Sequence, residues 1–144
     1  MPEPALQKKY RVPPQNTDAE NATLGALMLK PEAMHDVADV LMADDFYIEK
    51  HRRIYAAILE LFSKSEPIDL LSVSSKLKDK EHLETIGGNT YLSELVNATP
   101  AAANAAHYAS LVHKTAMLRK LIEAGDFISE LGYGANDKDV DETL

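Results

Sequence analysis

Residues 86–112 read IGGNTYLSELVNATPAAANAAHYASLV, and the meaning of their two adjacent glycines decides the fold. A phosphate-cradling loop needs a lysine after the glycines and a β-strand before them to aim backbone donors at a nucleotide, and Gly87-Gly88 has neither. A short helix ending at Ile86 instead needs a residue with positive φ just past its end, which glycine adopts without a Cβ clash. Asn89 is then expected to cap a following helix through Leu92, Leu95 and Val96. The glycines are punctuation between helices. Pro100 separates that helix from the next, and from about residue 101 to 131 only Gly125 interrupts a helical pattern, at about 1 kcal/mol relative to alanine.

Toward the N-terminus the same grammar repeats. Thr17 and Glu20 stand at capping-box spacing before Leu24, Leu27 and Met28, which share one face, so a helix is expected near 17–29. Pro31 suits the first turn of a second helix near 31–42, with Met34, Val37, Ala38 and Leu41 at helical spacing. ADDFYIEKH reads as a connection whose Phe46 and Tyr47 tuck under the bundle, and Ile54, Ile58, Leu61 and Phe62 mark a helix near 49–63. Pro67 disfavours helix at Glu66, and Asp69 is the expected cap of a helix carrying Leu70, Val73 and Leu77.

Toward the C-terminus the long helix has too much apolar surface for a single stripe. Tyr108, Leu111, Val112, Leu118, Leu121, Ile122, Ile128 and Leu131 cover more than the face needed to pack on one side, so a second apolar face implies a partner. GYGAND is expected to break the chain at 132–137, and KDVDETL starts a new pattern, with Val140 and Leu144 four apart, that stops in its first turn. The expectation is an all-α chain in three parts: a loose arm at 1–15, a compact multi-helix head at 16–100, and a long helix with the start of a second hairpin helix at 101–144, cut off inside that helix.

Composition bounds what such a chain does. Its 144 residues suit one core, and its 45% hydrophobic content is too high for disorder. No apolar run approaches the roughly 20 residues of a membrane helix, and the N-terminus lacks the features of a secretory signal, so a cytoplasmic protein with no membrane contact is expected. The absence of cysteine removes disulfides, thiol catalysis and thiolate metal sites. A net charge of −8 is the wrong sign for strong direct nucleic-acid binding.

Candidate chemistry is sparse. His35-Asp36 resembles the centre of the all-helical metal-dependent phosphohydrolases, but that class needs a further histidine upstream, and His35 is the first in the chain. A surface pair is the plainer reading; the phosphohydrolase is kept as an alternative. His107 and His113 are six apart, on opposed sides of a helix, so no metal is assigned. Asp44-Asp45 and Glu123/Asp126 have no fixed partner for acid–base work. Lys8-Lys9-Tyr10-Arg11 and Lys50-His51-Arg52-Arg53 read as solvated clusters; the second sits at a helix start, where cations oppose the dipole unless a partner or nearby acid compensates. Arg119-Lys120 with Glu123 reads as ordinary helix support.

In order, VPPQNTDAENATLGALML, DDFYIEKHRRIYAAILEL, EPIDLLSVSSKL, LETIGGNTYLSEL and ATPAAANAAHYASLV followed by LRKLIEAGDFI resemble the N-terminal domain of the bacterial hexameric replicative DNA helicase, the DnaB type, from about residue 12 to 144. The resemblance implies a globular helical head followed by a hairpin, with hairpins of sister subunits pairing into the collar of a hexameric trimer of dimers. Leu111, Leu118, Leu121 and Leu131 would serve self-association, and an isolated chain would dimerise weakly or incompletely. The collar of this family also docks the C-terminal helicase-binding domain of primase. By position that implies roles for Asp18, Tyr91, Arg119, Ile122 and Ile128, although Asp18 departs from the glutamate common there. It further implies that catalytic residues and cofactors, ATP and Mg among them, belong to an absent ATPase domain, leaving this chain without turnover. The remaining alternative is a free-standing helical adaptor complete at Leu144.

Overall fold

The computed structural model describes residues 11–134, and every regular element among them is helical. In chain order these are α1 (Thr17–Leu29), α2 (Met34–Val37), α3 (Glu49–Ser63), α4 (Leu70–Asp79), α5 (Leu83–Ile86), α6 (Gly88–Asn97) and α7 (Ala105–Gly134), with 3-10 turns at Pro31–Ala33, Ala43–Asp45 and Ala102–Asn104. Two compact units result. The head is Gln15–Ala116, and the described part of the other unit is residues 11–14 and 117–134.

The head is organised around α1, which is buried on nearly every side from Ala19 to Met28, as expected of a helix apolar all round. Its packing on α6 depends on Gly25: a Cβ there would stand 2.0 Å from Thr99 Oγ1 and 2.2 Å from the Leu95 carbonyl oxygen. The expected capping box does not form. Asn16 caps α1 by accepting from the Ala19 N–H at 3.0 Å, and Glu20 points into the core instead. The expected helix at 31–42 is shorter, a 3-10 turn leading into the single turn of α2, although Met34, Val37 and Leu41 are buried as their spacing suggested. The chain turns away beyond α2, and the Leu41 carbonyl accepts from the Tyr55 hydroxyl at 2.9 Å.

Phe46 is fully buried with its ring 5.0 Å from that of Tyr55, so the 43–48 connection tucks under the bundle. Helix α3 and the Asp69 cap of α4, which accepts from the Ser72 N–H at 2.7 Å, match the sequence reading. At the double glycine Gly87 has φ +109° and Gly88 φ +69°, values that favour glycine strongly. Gly87 both ends α5 and begins α6. Asn89 is therefore not a cap: it lies in the first turn of α6 and accepts from the Ser74 hydroxyl at 2.5 Å, tying α6 to α4.

The head runs past residue 100 to Ala116 because Ala105, Ala109, Val112 and Ala116 are buried at spacings of four, three and four, one face of the first turns of α7. Beyond Ala116 the helix passes through Gly125 and Gly132 to Gly134, so the break expected at 132–137 does not begin at 132, and residues 135–137 lie outside the described residues. Arg119 Nη1 donates to the Pro14 carbonyl at 2.8 Å, within the second unit. The basic run Lys8-Lys9-Tyr10 and the second hairpin arm with Val140 and Leu144 lie outside the described residues.

Candidate functional site

A polar chain runs from the centre of the head to its surface. Helix α3 begins without a side-chain cap of its own, and the amides just ahead of its first turn are held from another helix. Glu20, reaching across from α1, accepts from the Tyr47 N–H at 2.7 Å and from the Ile48 N–H at 3.4 Å. It thereby places a carboxylate at the positive end of the α3 dipole. The same carboxylate accepts from His51 Nδ1 at 2.8 Å, and both side chains are almost wholly excluded from solvent. On the other side of the imidazole, Nε2 meets the Tyr91 hydroxyl at 2.5 Å, with the two rings 5.9 Å apart and only 16° from parallel. The Lys50 ammonium stands 3.7 Å above the Tyr91 ring, a cation–π contact.

The basic cluster at the start of α3 is thus three separate devices rather than one solvated face. His51 is buried, and Lys50 covers Tyr91. Arg52 turns back, donating to the Phe46 carbonyl at 2.8 Å, the Tyr47 carbonyl at 2.9 Å and Glu49 at 2.7 Å, and so pins the connection that carries the Glu20-bound amides. The acid that this cluster called for is Glu20. Sequence reasoning missed its role because its spacing from Thr17 offered a local explanation, whereas the cation-rich helix start lacking a cap was the signal that an acid must arrive from another helix.

A hydroxyl, an imidazole and a carboxylate in a row suggest an activated nucleophile, but the electrostatics run the other way. Burial, with Glu94 and Glu20 adding negative charge, pushes the Tyr91 hydroxyl up to about 12 from the ordinary 10.0, where a nucleophile needs the reverse. The arrangement holds a half-buried tyrosine in place at the surface.

The other sequence candidates are dispersed. Asp18 is exposed in the first turn of α1, in the same unit as Tyr91. Arg119, Ile122 and Ile128 belong to the other unit, Arg119 half-buried and engaged with Pro14, Ile122 and Ile128 exposed. Of the leucines, Leu118 and Leu121 are exposed and Leu131 is half-buried, while Leu111 packs against the head core. At about 100° per residue, Leu111, Leu118, Leu121, Ile122 and Ile128 fall within an arc of about 120°, opposite the stripe from Ala105 to Ala116. Two apolar faces on one helix account for the excess seen in the sequence. His35 and Asp36 are both exposed, with the His35 ring edge-on to Phe62 at 5.2 Å. Among the described residues no three His, Cys, Asp or Glu side chains gather to hold a metal ion. No described helix is long and apolar enough to cross a membrane.

Known proteins share this fold. The family model described as DnaB-like helicase N terminal domain matches residues 12–114. The chain is 43% identical over 128 residues to the replicative DNA helicase DnaC of Bacillus subtilis, covering 89% of this chain and 28% of that protein. Its fold is similar to the crystal structure of the N-terminal domain of DnaB helicase from Mycobacterium tuberculosis, with a TM-score of 0.87 at 40% identity, covering 92% of this chain and 96% of that one. It is also similar to a DnaB-like replicative helicase whose structure was described with its interactions with primase, with a TM-score of 0.71 at 26% identity over 88% of this chain and 29% of that one. The chain therefore spans only a minor part of the whole helicases it matches. On this agreement in sequence and in fold, the chain belongs to the DnaB-like helicase N-terminal domain family.

Proposed function

We propose that this chain is the collar domain of a replicative DNA helicase, non-catalytic by itself, acting through self-association and by docking the helicase-binding domain of primase. ATP hydrolysis, Mg binding and strand translocation belong in this reading to an ATPase domain elsewhere in the parent protein, a hexamer working at the replication fork in the cytoplasm. The observation that carries it is the apolar arc on α7: Leu118, Leu121, Ile122 and Ile128 are all exposed, from 41% to 69%, on the part of the helix beyond Ala116. An apolar face of this kind on a soluble domain marks a protein contact. Family membership favours a sister subunit and primase as the occupants, and one similar DnaB-like replicative helicase was described with its interactions with primase.

In the head, Asp18 and Tyr91 are the proposed primase contacts; on α7 they are Arg119, Ile122 and Ile128. Leu111, Leu118, Leu121 and Leu131 are assigned to self-association, with Leu111 buttressing the head at the same time. Tyrosine and arginine are the residue types that most often anchor interfaces. Calorimetric titration with the primase C-terminal domain tests the assignment: Tyr91→Ala and Ile122→Asp should each weaken binding while helical content stays unchanged. Undiminished affinity in both variants would exclude this surface. Sustained ATP turnover by the purified chain would refute the non-catalytic part of the proposal.

A further inference from the structure

The chain Glu20, His51, Tyr91 fixes the direction in which the hydroxyl at its outer end uses its hydrogen. A carboxylate at Glu20 only accepts, so the 2.8 Å contact requires the hydrogen of the His51 ring on Nδ1. In the neutral ring Nε2 is then a lone pair, and its 2.5 Å contact consumes the single hydrogen of the Tyr91 hydroxyl. We infer that His51 is a positioning residue that makes the Tyr91 oxygen an acceptor toward any partner, so that the partner group meeting it is a hydrogen-bond donor, an N–H, ammonium or guanidinium, and not a carboxylate.

This rests on the reading of Tyr91 as a primase contact and names the chemistry of that contact. The surroundings agree. Glu20 and Glu94 both place negative charge near the hydroxyl, which repels an acidic partner, and the Lys50 ammonium stands over the ring face. Phe46 closes the remaining side of the imidazole, its ring 6.4 Å away and edge-on. The nearly parallel His51 and Tyr91 rings keep the hydroxyl in register with Nε2.

Nitrogen-15 NMR of the chain reads the tautomer directly. Near neutral pH, His51 should carry hydrogen on Nδ1 and none on Nε2, and Tyr91→Phe should shift the Nε2 resonance while leaving Nδ1–H in place. In titrations with the primase C-terminal domain, Tyr91→Phe and His51→Gln should each weaken binding about fivefold, the worth of one hydrogen bond, and the double variant no more than either. An Nε2-protonated ring, or losses that multiply to about 25-fold, would overturn the inference while leaving the docking reading intact. Absence of any binding by the unsubstituted chain would overturn the docking reading and the specificity role with it, even with the Nδ1–H tautomer present. The tautomer measurement needs no substitution, so it decides the geometry even if His51→Gln fails to fold.

Discussion

The head and the outer half of α7 draw on the same kinds of side chain and use them in opposite ways. In the head, Leu24, Leu27, Ile54, Ile58 and Leu92 are wholly buried, and so is the carboxylate of Glu20, which holds three donors at once. From Met117 onward, Leu121, Phe127 and Ile128 are each more than 60% exposed on a helix that carries two internal glycines. The difference separates residues that make the fold from residues held for something outside it. A substitution in the buried core of the head should therefore affect stability, and one on the exposed apolar face of α7 association.

The largest effect is expected at Gly25→Ala. The added carbon would stand 2.2 Å from the Leu95 carbonyl oxygen, and backbone has to move to admit it, so denaturant unfolding should show a loss of about 3 kcal/mol, at the upper end for overpacking. A change within about 0.5 kcal/mol would mean that α1 and α6 are not in such close contact. Glu20→Ala comes next. It strands the Tyr47 and Ile48 amides and the His51 ring, at about 2 kcal/mol, and hydrogen exchange at those two amides should quicken selectively. Unchanged protection there would contradict Glu20 as the acceptor that holds the amides ahead of α3.

Across the divide, Leu121→Asp should leave head stability within about 0.5 kcal/mol of the parent chain while lowering self-association in analytical ultracentrifugation. A comparable loss of head stability would erase the distinction between the regions. The smallest effects are those of pH. Tyr91 is protonated in the fold up to about 12 against 10.0 ordinarily, so the folded state holds the extra proton between those values and stability should fall as pH rises through them. Glu60 is opposite in sign. Hydrogen bonds from Lys80 and Lys64, helped by the charge of Lys76, hold it at about 2 against 4.5, so its contribution is present above pH 4.5 and fades as pH falls toward 2. The second effect should weaken in added salt because Lys64 and Lys80, which donate to Glu60, are open to solvent; pH-dependent melting curves at two ionic strengths check both signs.

Local features were the legible ones. Asp69 before Leu70, Pro31 at the start of a turn, and the positive φ at Gly87 each follow from chemistry within a few residues, and α3 and α4 are found where capping and periodicity place them. What the sequence hid is long-range pairing. Glu20 had a plausible partner three residues away and found three others at positions 47, 48 and 51. Asn89 had the composition of a cap and instead binds Ser74. The end of α2 and the continuation of α7 through Gly132 were misjudged for a related reason: tertiary context overrides propensity in both directions. The excess apolar surface of α7 was visible without any structure, because no arrangement of 3.6 residues per turn places all of those side chains on one face.

Gly87, shared between the end of α5 and the start of α6, leaves no spare residue between the two helices. Most surface connections gain and lose residues freely over evolutionary time, but here one inserted residue would turn everything after it by about 100°. Tyr91 would lose the imidazole it leans on, and Asn89 would leave Ser74. Even without an insertion, a side chain at position 87 would strike the Tyr91 Cβ at 2.8 Å. The double glycine thus acts as a length gauge: a descendant of this chain has more room to vary the exposed 64–67 turn, whereas the count of residues between Ile86 and Tyr91 is frozen by the tyrosine it delivers.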